Sequence, residues 1–197
     1  MNTYQLEKTH SGVSLLPLDT VCFEQGVLFL EGSINEETAT RFIQNGMILA
    51  KKQIPITVVI NSNGGELLAG LNIYDFLTSL QDVTTIALKA FSMGSLLFAA
   101  GKKRVMLPHS RLMLHEPLLA SGVSGSCTTV ETATDQLKAE RELVIGLYAK
   151  HTGMSVGEIR KVMKKDTYFT AEQAKAFGLS DGTVSWNDVL KGDVNYA

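Results

Sequence analysis

Little in this sequence is cross-linkable, strongly charged or continuously apolar, and each shortage closes off a class of protein. Cysteine occurs only as Cys22 and Cys127, in unrelated contexts, so both read as free thiols of a reducing compartment. Lys and Arg number 18 against 20 Asp and Glu, a formal charge of −2. So even a balance gives no broad attraction to nucleic acid or to an anionic membrane. The longest apolar runs, such as Ile56–Ile60 and Ser95–Ala100, fall far short of the roughly 20 residues that span a bilayer. The opening residues MNTYQLEKTH lack the basic start and apolar stretch of a secretory signal, and a cytoplasmic location is expected. Histidines at 10, 109, 115 and 151 show no metal-ligand spacing, so no metal site is expected.

What the chain has is enough apolar material, 45% of its 197 residues, to bury the core of one domain. Punctuation comes from 17 glycines rather than from the four prolines, which suits short turns inside one folded unit. Val27–Leu30 reads as a short strand, followed by a helical segment from Ser33 to Lys52 in which Ser33 and Glu36 fit a capping box. Ile56–Ile60 is a β-branched run that predicts a strand buried on both faces. It is expected to stop at a polar turn, Asn61–Gly65, before a helix whose buried side carries Leu67, Leu68, Leu71, Ile73, Phe76 and Leu77.

The unit then repeats: strand Val83–Leu88, a tight turn Phe91–Gly94, and an apolar helix through Ala100. Repeated strand-turn-helix units imply an α/β fold with a largely parallel sheet. Arg104–Leu107 and Arg111–Leu114 read as two more short strands joined through Pro108, and Thr128–His151 is the longest helix candidate. Between them lies a Gly/Ser segment, Ala120–Ser126. Thr170 and Gln173 match a second capping box on a short helix that Gly178 can close.

Four sites carry candidate chemistry. In Ala90-Phe-Ser-Met-Gly94 a serine stands between a buried strand and a helix, exposed where a helix N-terminus faces developing negative charge. Ser92 is therefore a candidate nucleophile, with a plain N-cap as the alternative and Ser95 as a rival. A serine hydroxyl needs a base. His115 follows a predicted strand and is the candidate, whereas His109 reads as an exposed turn residue and His151 as a helix C-cap complementing the dipole. Such a base needs an acceptor to fix its tautomer, and Asp166 is the candidate, with pairing to Lys164 or Lys165 as the alternative. The Gly64–Gly65 pair lets the main chain approach a substrate, so the amides of Gly65 and Met93 are candidate oxyanion donors. The same glycines could equally form an ordinary turn, and they are no phosphate loop, lacking its lysine and Ser/Thr.

Taken together, Ile60-Asn-Ser-Asn-Gly-Gly65, Phe91-Ser-Met-Gly94 with Leu96-Leu-Phe-Ala-Ala-Gly101, Arg111-Leu-Met-Leu-His-Glu-Pro117 and Asp166-Thr-Tyr-Phe-Thr170 resemble the ClpP peptidase family. With Tyr148-Ala-Lys-His-Thr-Gly153, the similarity runs from about residue 25 to residue 184. The resemblance implies a crotonase/ClpP-like fold of repeated strand-turn-helix units with a long handle helix. It implies a Ser92–His115–Asp166 triad with oxyanion donors at Gly65 and Met93, and serine endopeptidase chemistry on peptides or unfolded proteins through an acyl-enzyme. No cofactor is implied in this subunit, ATP being used only by an AAA+ unfoldase partner. Two stacked heptamers are implied, a tetradecamer in which Thr128–His151 matches the interdigitating handle and Ser121–Ser126 the strand that pairs between rings beside the substrate.

On this reading residues 1–24 are a divergent N-terminal extension and 25–190 the peptidase domain, with a head of about 25–118 and 154–190 and a handle of about 119–153. Several residues depart from the family pattern. Asn63 replaces the usual proline, Glu116 replaces the usual glutamine and sets an anion beside the base, and the axial-loop sequence is not found in residues 1–24. A divergent or phage-type member is therefore expected. Three other readings compete: an inactive or regulatory subunit of a mixed ring, a crotonase-type acyl-CoA enzyme, and a Ser-Lys peptidase recruiting Lys89 or Lys102. Apolar residues dominate the segments expected near the cleft, so a preference for apolar side chains before the cleaved bond is expected.

Overall fold

The structure, a computed structural model, describes residues 4–9 and 12–190. Its centre is a sheet in which β3 (Val27–Ile34), β4 (Ile56–Gly65), β5 (Val83–Phe91) and β6 (Lys103–Leu114) lie in chain order and run parallel. The intervening helices α2 (Glu36–Lys52), α3 (Leu67–Ser79) and α4 (Met93–Ala99) make each connection a strand-helix-strand crossover. The expected α/β architecture is the one found. Antiparallel β7 (Thr167–Phe169) and short parallel β8 (Gly182–Thr183) both pair with β6.

The largest core lies on one side of this sheet, and α4, with all seven of its residues buried, forms its centre. Side-chain alternation along the strands turns Ile86 and Val105 to the other side, where they pack with Val184. That is why β5 and β6 read as continuous apolar runs rather than as alternating ones.

Several boundaries differ from the sequence reading for one reason, that strand pairing overrides local turn signals. β3 continues through Ser33, which pairs with Gly64, so Ser33 cannot cap α2. The cap is Asn35, whose side chain accepts from the Thr38 amide at 2.9 Å. Asn61–Gly65 is likewise no free turn but the irregular end of β4, with register shifts at Gly32/Ser33 and Ile60/Asn61. Instead of two strands, Lys103–Leu114 forms a single β6, and its ladder with β5 jumps from Ala87↔Met106 to Lys89↔Arg111. Exposed Pro108, which has no amide to donate, sits in that jump. In α3 the core-facing residues include Ala69, Ile73, Tyr74 and Leu77, whereas Leu68 is 73% exposed.

The long helix α5 (Cys127–Thr152) starts on Ser126, whose side chain accepts from the Thr129 amide, and ends at Gly153 in a left-handed conformation. No residue of α5 before Val144 is buried. The preceding Ser121–Ser126, matched by resemblance to an inter-ring strand, forms no strand within the single chain. After α5 come α6 (Val156–Met163), α7 (Ala171–Ala176) and α8 (Trp186–Leu190). Both arms of the expected Thr170–Gln173 capping box are present on α7. Over the described part of residues 1–24, β1 (Tyr4–Thr9) and β2 (Gly12–Pro17) form an antiparallel hairpin followed by α1 (Leu18–Glu24). Phe23 of α1 packs against the main core.

Where α5 ends, Arg104 of β6 ties three segments together. Its guanidinium donates to the carbonyls of His151 (2.9 Å) and Gly178 (3.0 Å) and pairs with the Asp181 carboxylate. His151 is not the cationic cap expected from its position. Its Nε2 shares a 2.7 Å hydrogen bond with the Tyr74 hydroxyl, and burial, followed by Arg104, Lys150 and Lys102, lowers its pKa to about 4. An unfolded chain takes up that proton near the ordinary value of 6.5 and the folded chain only near 4, so acidification between those values favours unfolding. The thermal midpoint is therefore expected to fall as pH drops through this window, and His151→Gln should flatten the fall in a pH series of melting curves.

Candidate active site

Three sheet ends and one helix start converge on Ser92. The residue joins β5 to α4 with φ 54° and ψ −122°, a left-handed backbone that is costly for a side chain bearing Cβ. Pairing on both sides holds it there. Its amide donates to the Met113 carbonyl of β6 at 2.8 Å, and its own carbonyl accepts from the Ser95 amide at 2.9 Å. The Tyr148 hydroxyl of α5 also donates to that carbonyl at 3.3 Å. Tyr148 is buried, which pushes its phenol pKa up and keeps the proton in place to donate.

The end of β4 comes within contact of this elbow because residue 64 is glycine. A Cβ on Gly64 would lie 2.8 Å from Cβ of Ser92 and 3.0 Å from the Met93 amide nitrogen. Gly64 sits at φ 94°, and its amide donates to the Ser62 hydroxyl at 3.0 Å, which in turn donates to the Gly32 carbonyl at 2.6 Å. Gly65 has no room for a side chain either, since its Cβ would meet the Ile34 carbonyl at 2.1 Å.

His115 follows the last residue of β6, and Asp166 precedes the first residue of β7. The antiparallel register pairs Leu114 with Thr167, so the next positions in the same ladder set His115 opposite Asp166. The measured contacts agree with this placement. His115 Nε2 is 2.6 Å from Ser92 Oγ, and its Nδ1 is 3.4 Å from Asp166 Oδ1. The imidazole is mostly enclosed at 19% exposure, whereas the carboxylate is 59% exposed. Thr167 shapes the approach to Asp166, its hydroxyl donating to the Val162 carbonyl at 2.8 Å.

The rivals lie elsewhere. Ser95 is buried, with its hydroxyl bonded to the Ala90 (2.6 Å) and Met113 (2.7 Å) carbonyls, a strand-to-helix brace rather than an accessible nucleophile. His109 is exposed on β6, and His151 is bonded to Tyr74. Lys89 reaches over the Phe91 ring at 6.0 Å, and Lys102 donates to the Thr78 carbonyl at 3.5 Å. The Glu116 carboxylate, expected as an unbalanced anion beside the base, faces Arg141 of α5 at 3.8 Å. Sequence reasoning missed Arg141 and Tyr148 as neighbours of the site. In the sequence Tyr148 only opens the Tyr148–Gly153 segment of the family resemblance, although a phenol buried among aliphatic residues signals a bonded hydroxyl.

Chemically, a hydroxyl lies within proton-transfer reach of one imidazole nitrogen while a carboxylate faces the other. Among the described residues no group of three or more His, Cys, Asp and Glu side chains is arranged to hold a metal ion. Nor is any helix among them long and apolar enough to cross a membrane. Gly64→Ala should lose about 1–3 kcal/mol of stability through backbone strain and the clash with Ser92. A crystal structure of that variant should show the Ser92–His115 contact lengthened.

Comparison with known proteins places this geometry in a lineage. The profile of the Clp protease family matches residues 17–186. The ATP-dependent Clp protease proteolytic subunit of Bdellovibrio bacteriovorus is 35% identical over 196 aligned residues, which cover 96% of this chain and 92% of that protein. A match that runs across nearly the whole of both chains, through every segment that builds the site, leaves one conclusion: the chain belongs to the Clp protease family.

Proposed function

We propose that Ser92 is the nucleophile, His115 the general base and then acid, and Asp166 the orienting carboxylate of a serine endopeptidase. The observation that carries the reading is the 2.6 Å Ser92–His115 contact with a carboxylate on the far imidazole nitrogen. Ser92 Oγ attacks the peptide carbonyl carbon as its proton passes to His115 Nε2, and the amides of Gly65 and Met93 receive the oxyanion. Collapse of the tetrahedral adduct breaks the C–N bond, with the Nε2 proton leaving on the amine. Water then repeats the sequence on the acyl-enzyme, its proton going to Nε2 and returning to Ser92. The cycle closes without a cofactor in this subunit. Asp166 Oδ1 faces the other imidazole nitrogen at 3.4 Å, where it can orient the ring and steady the imidazolium.

The substrate class is peptides and unfolded polypeptides, with apolar side chains favoured before the cleaved bond. Leu68, 73% exposed just after Gly65, and Leu118, 62% exposed just after Pro117, support that preference. The working form is a chamber of two stacked heptamers in the cytoplasm, fed by an AAA+ unfoldase that alone consumes ATP. Support comes from α5, whose first half is not buried among the described residues, with Val130 exposed. A two-stranded sheet such as β1–β2 is also marginal by itself, which favours packing among copies.

Hydrolysis of a fluorogenic peptide with an apolar residue before the scissile bond tests the reading. Ser92→Ala and His115→Ala should each lose about a thousandfold or more in kcat, while sedimentation shows unchanged assembly. Asp166→Asn should lose activity as well, through the tautomer of His115. A Ser92→Ala protein retaining more than about a tenth of wild-type turnover would contradict the assignment.

A further inference from the structure

His115 and Asp166 both stand just outside the ladder that aligns them, since the last paired residues are Leu114 and Thr167. Contacts beyond the sheet add to the ladder in fixing their separation. One link is a backbone bond from the Glu116 amide to the Met163 carbonyl at 3.0 Å, which joins the residue after His115 to the last residue of α6. The other link is ionic and runs through α5. Arg141 Nη1 lies 3.8 Å from the Glu116 carboxylate, and Arg141 Nε donates to Glu142 at 3.3 Å. Glu142 is gripped at both oxygens by Arg160 of α6, at 2.5 and 2.6 Å. The circuit closes on itself, because α6 ends at the Met163 carbonyl that receives Glu116.

We propose that Arg141 is a positioning residue for the reaction, holding Glu116 to α5 and α6 and thereby setting His115 against Asp166. The inference rests on the assignment of those two residues given above. Three features of the circuit support it. Hydrogen bonding from Arg160, with Arg141 adding to it, lowers the Glu142 carboxyl to about 2, so the carboxylate stays charged wherever the peptidase would work. The bidentate Arg160–Glu142 fork fixes an orientation as well as a charge. Arg141 and Tyr148 stand about two helical turns apart, hence on the same face of α5. One helix face thus touches the nucleophile's carbonyl at one point and the neighbour of the base at another.

Arg141 and Glu116 are each 34% exposed, so their attraction is modest and salt-sensitive. Steady-state hydrolysis of the fluorogenic peptide by assembled full-length protein measures it. Arg141→Ala should lower kcat about three- to fivefold with KM unchanged, and Arg141→Lys should recover more than half of the loss. Wild-type kcat should decline with added salt, and the decline should be absent from Arg141→Ala. Glu116→Gln leaves α5 untouched and carries the test should Arg141→Ala fail to assemble; it should show the same loss, with no further loss in the double variant. Wild-type kcat in either single variant, equal losses for Arg141→Ala and Arg141→Lys, or additive losses in the double variant would overturn the proposal. An active Ser92→Ala protein would instead overturn the assignment on which it rests.

Discussion

The antiparallel pairing of β7 on β6 is the constraint on which the rest of the site depends. Fifty residues of chain, including the whole of α5, separate His115 from Asp166, yet three ladder pairs, Leu112↔Phe169 through Leu114↔Thr167, make them neighbours. The same strand β6 accepts the Ser92 amide at its Met113 carbonyl. One strand end therefore references all three side chains to a common frame. A slip of one residue in either ladder would turn the next side chain to the opposite face of the sheet, so a well-buried core on both faces of β6 protects the chemistry indirectly.

The elbow at Ser92 is the strained part of the arrangement. A non-glycine residue at φ 54° costs on the order of 1–3 kcal/mol, and it is sustained because its neighbours are fully committed. The Ser95 hydroxyl, shared between the Ala90 and Met113 carbonyls, braces α4 against the ends of β5 and β6. All of α4 is buried, which gives the elbow no direction in which to relax. Gly64 completes the fit from the β4 side, where any Cβ would collide with Ser92. The hydroxyl alone is left with access to the imidazole.

Much of this was legible in the sequence, and the part that was not has a physical explanation. The β-branched run Ile56–Ile60 and the long helix candidate Thr128–His151 both appear as elements where expected. Ser92 and Gly64–Gly65 were readable because unusual backbone demands leave a mark in composition. Boundaries failed where pairing outweighed local preference: Ser33 lies inside β3, and Asn61–Gly65 extends β4 instead of turning. Leu68 fitted the helical period but points to solvent. The partners of Glu116 were invisible because Arg141 and Arg160 sit on helices whose docking no local pattern encodes. His151 was misread for a related reason. Its position at a helix end suggested a cation, but burial, with Arg104, Lys150 and Lys102 nearby, lowers its pKa and keeps it neutral.

The proposed chemistry requires Ser92 to be the activated hydroxyl of the molecule. Treatment of the assembled protein with a fluorophosphonate, followed by peptide mass spectrometry, measures that directly. The geometry predicts a single adduct on Ser92, lost in His115→Ala, with the buried hydroxyl of Ser95 unmodified. A folded, assembled protein that takes up no label, or that carries it on another serine, would contradict the account.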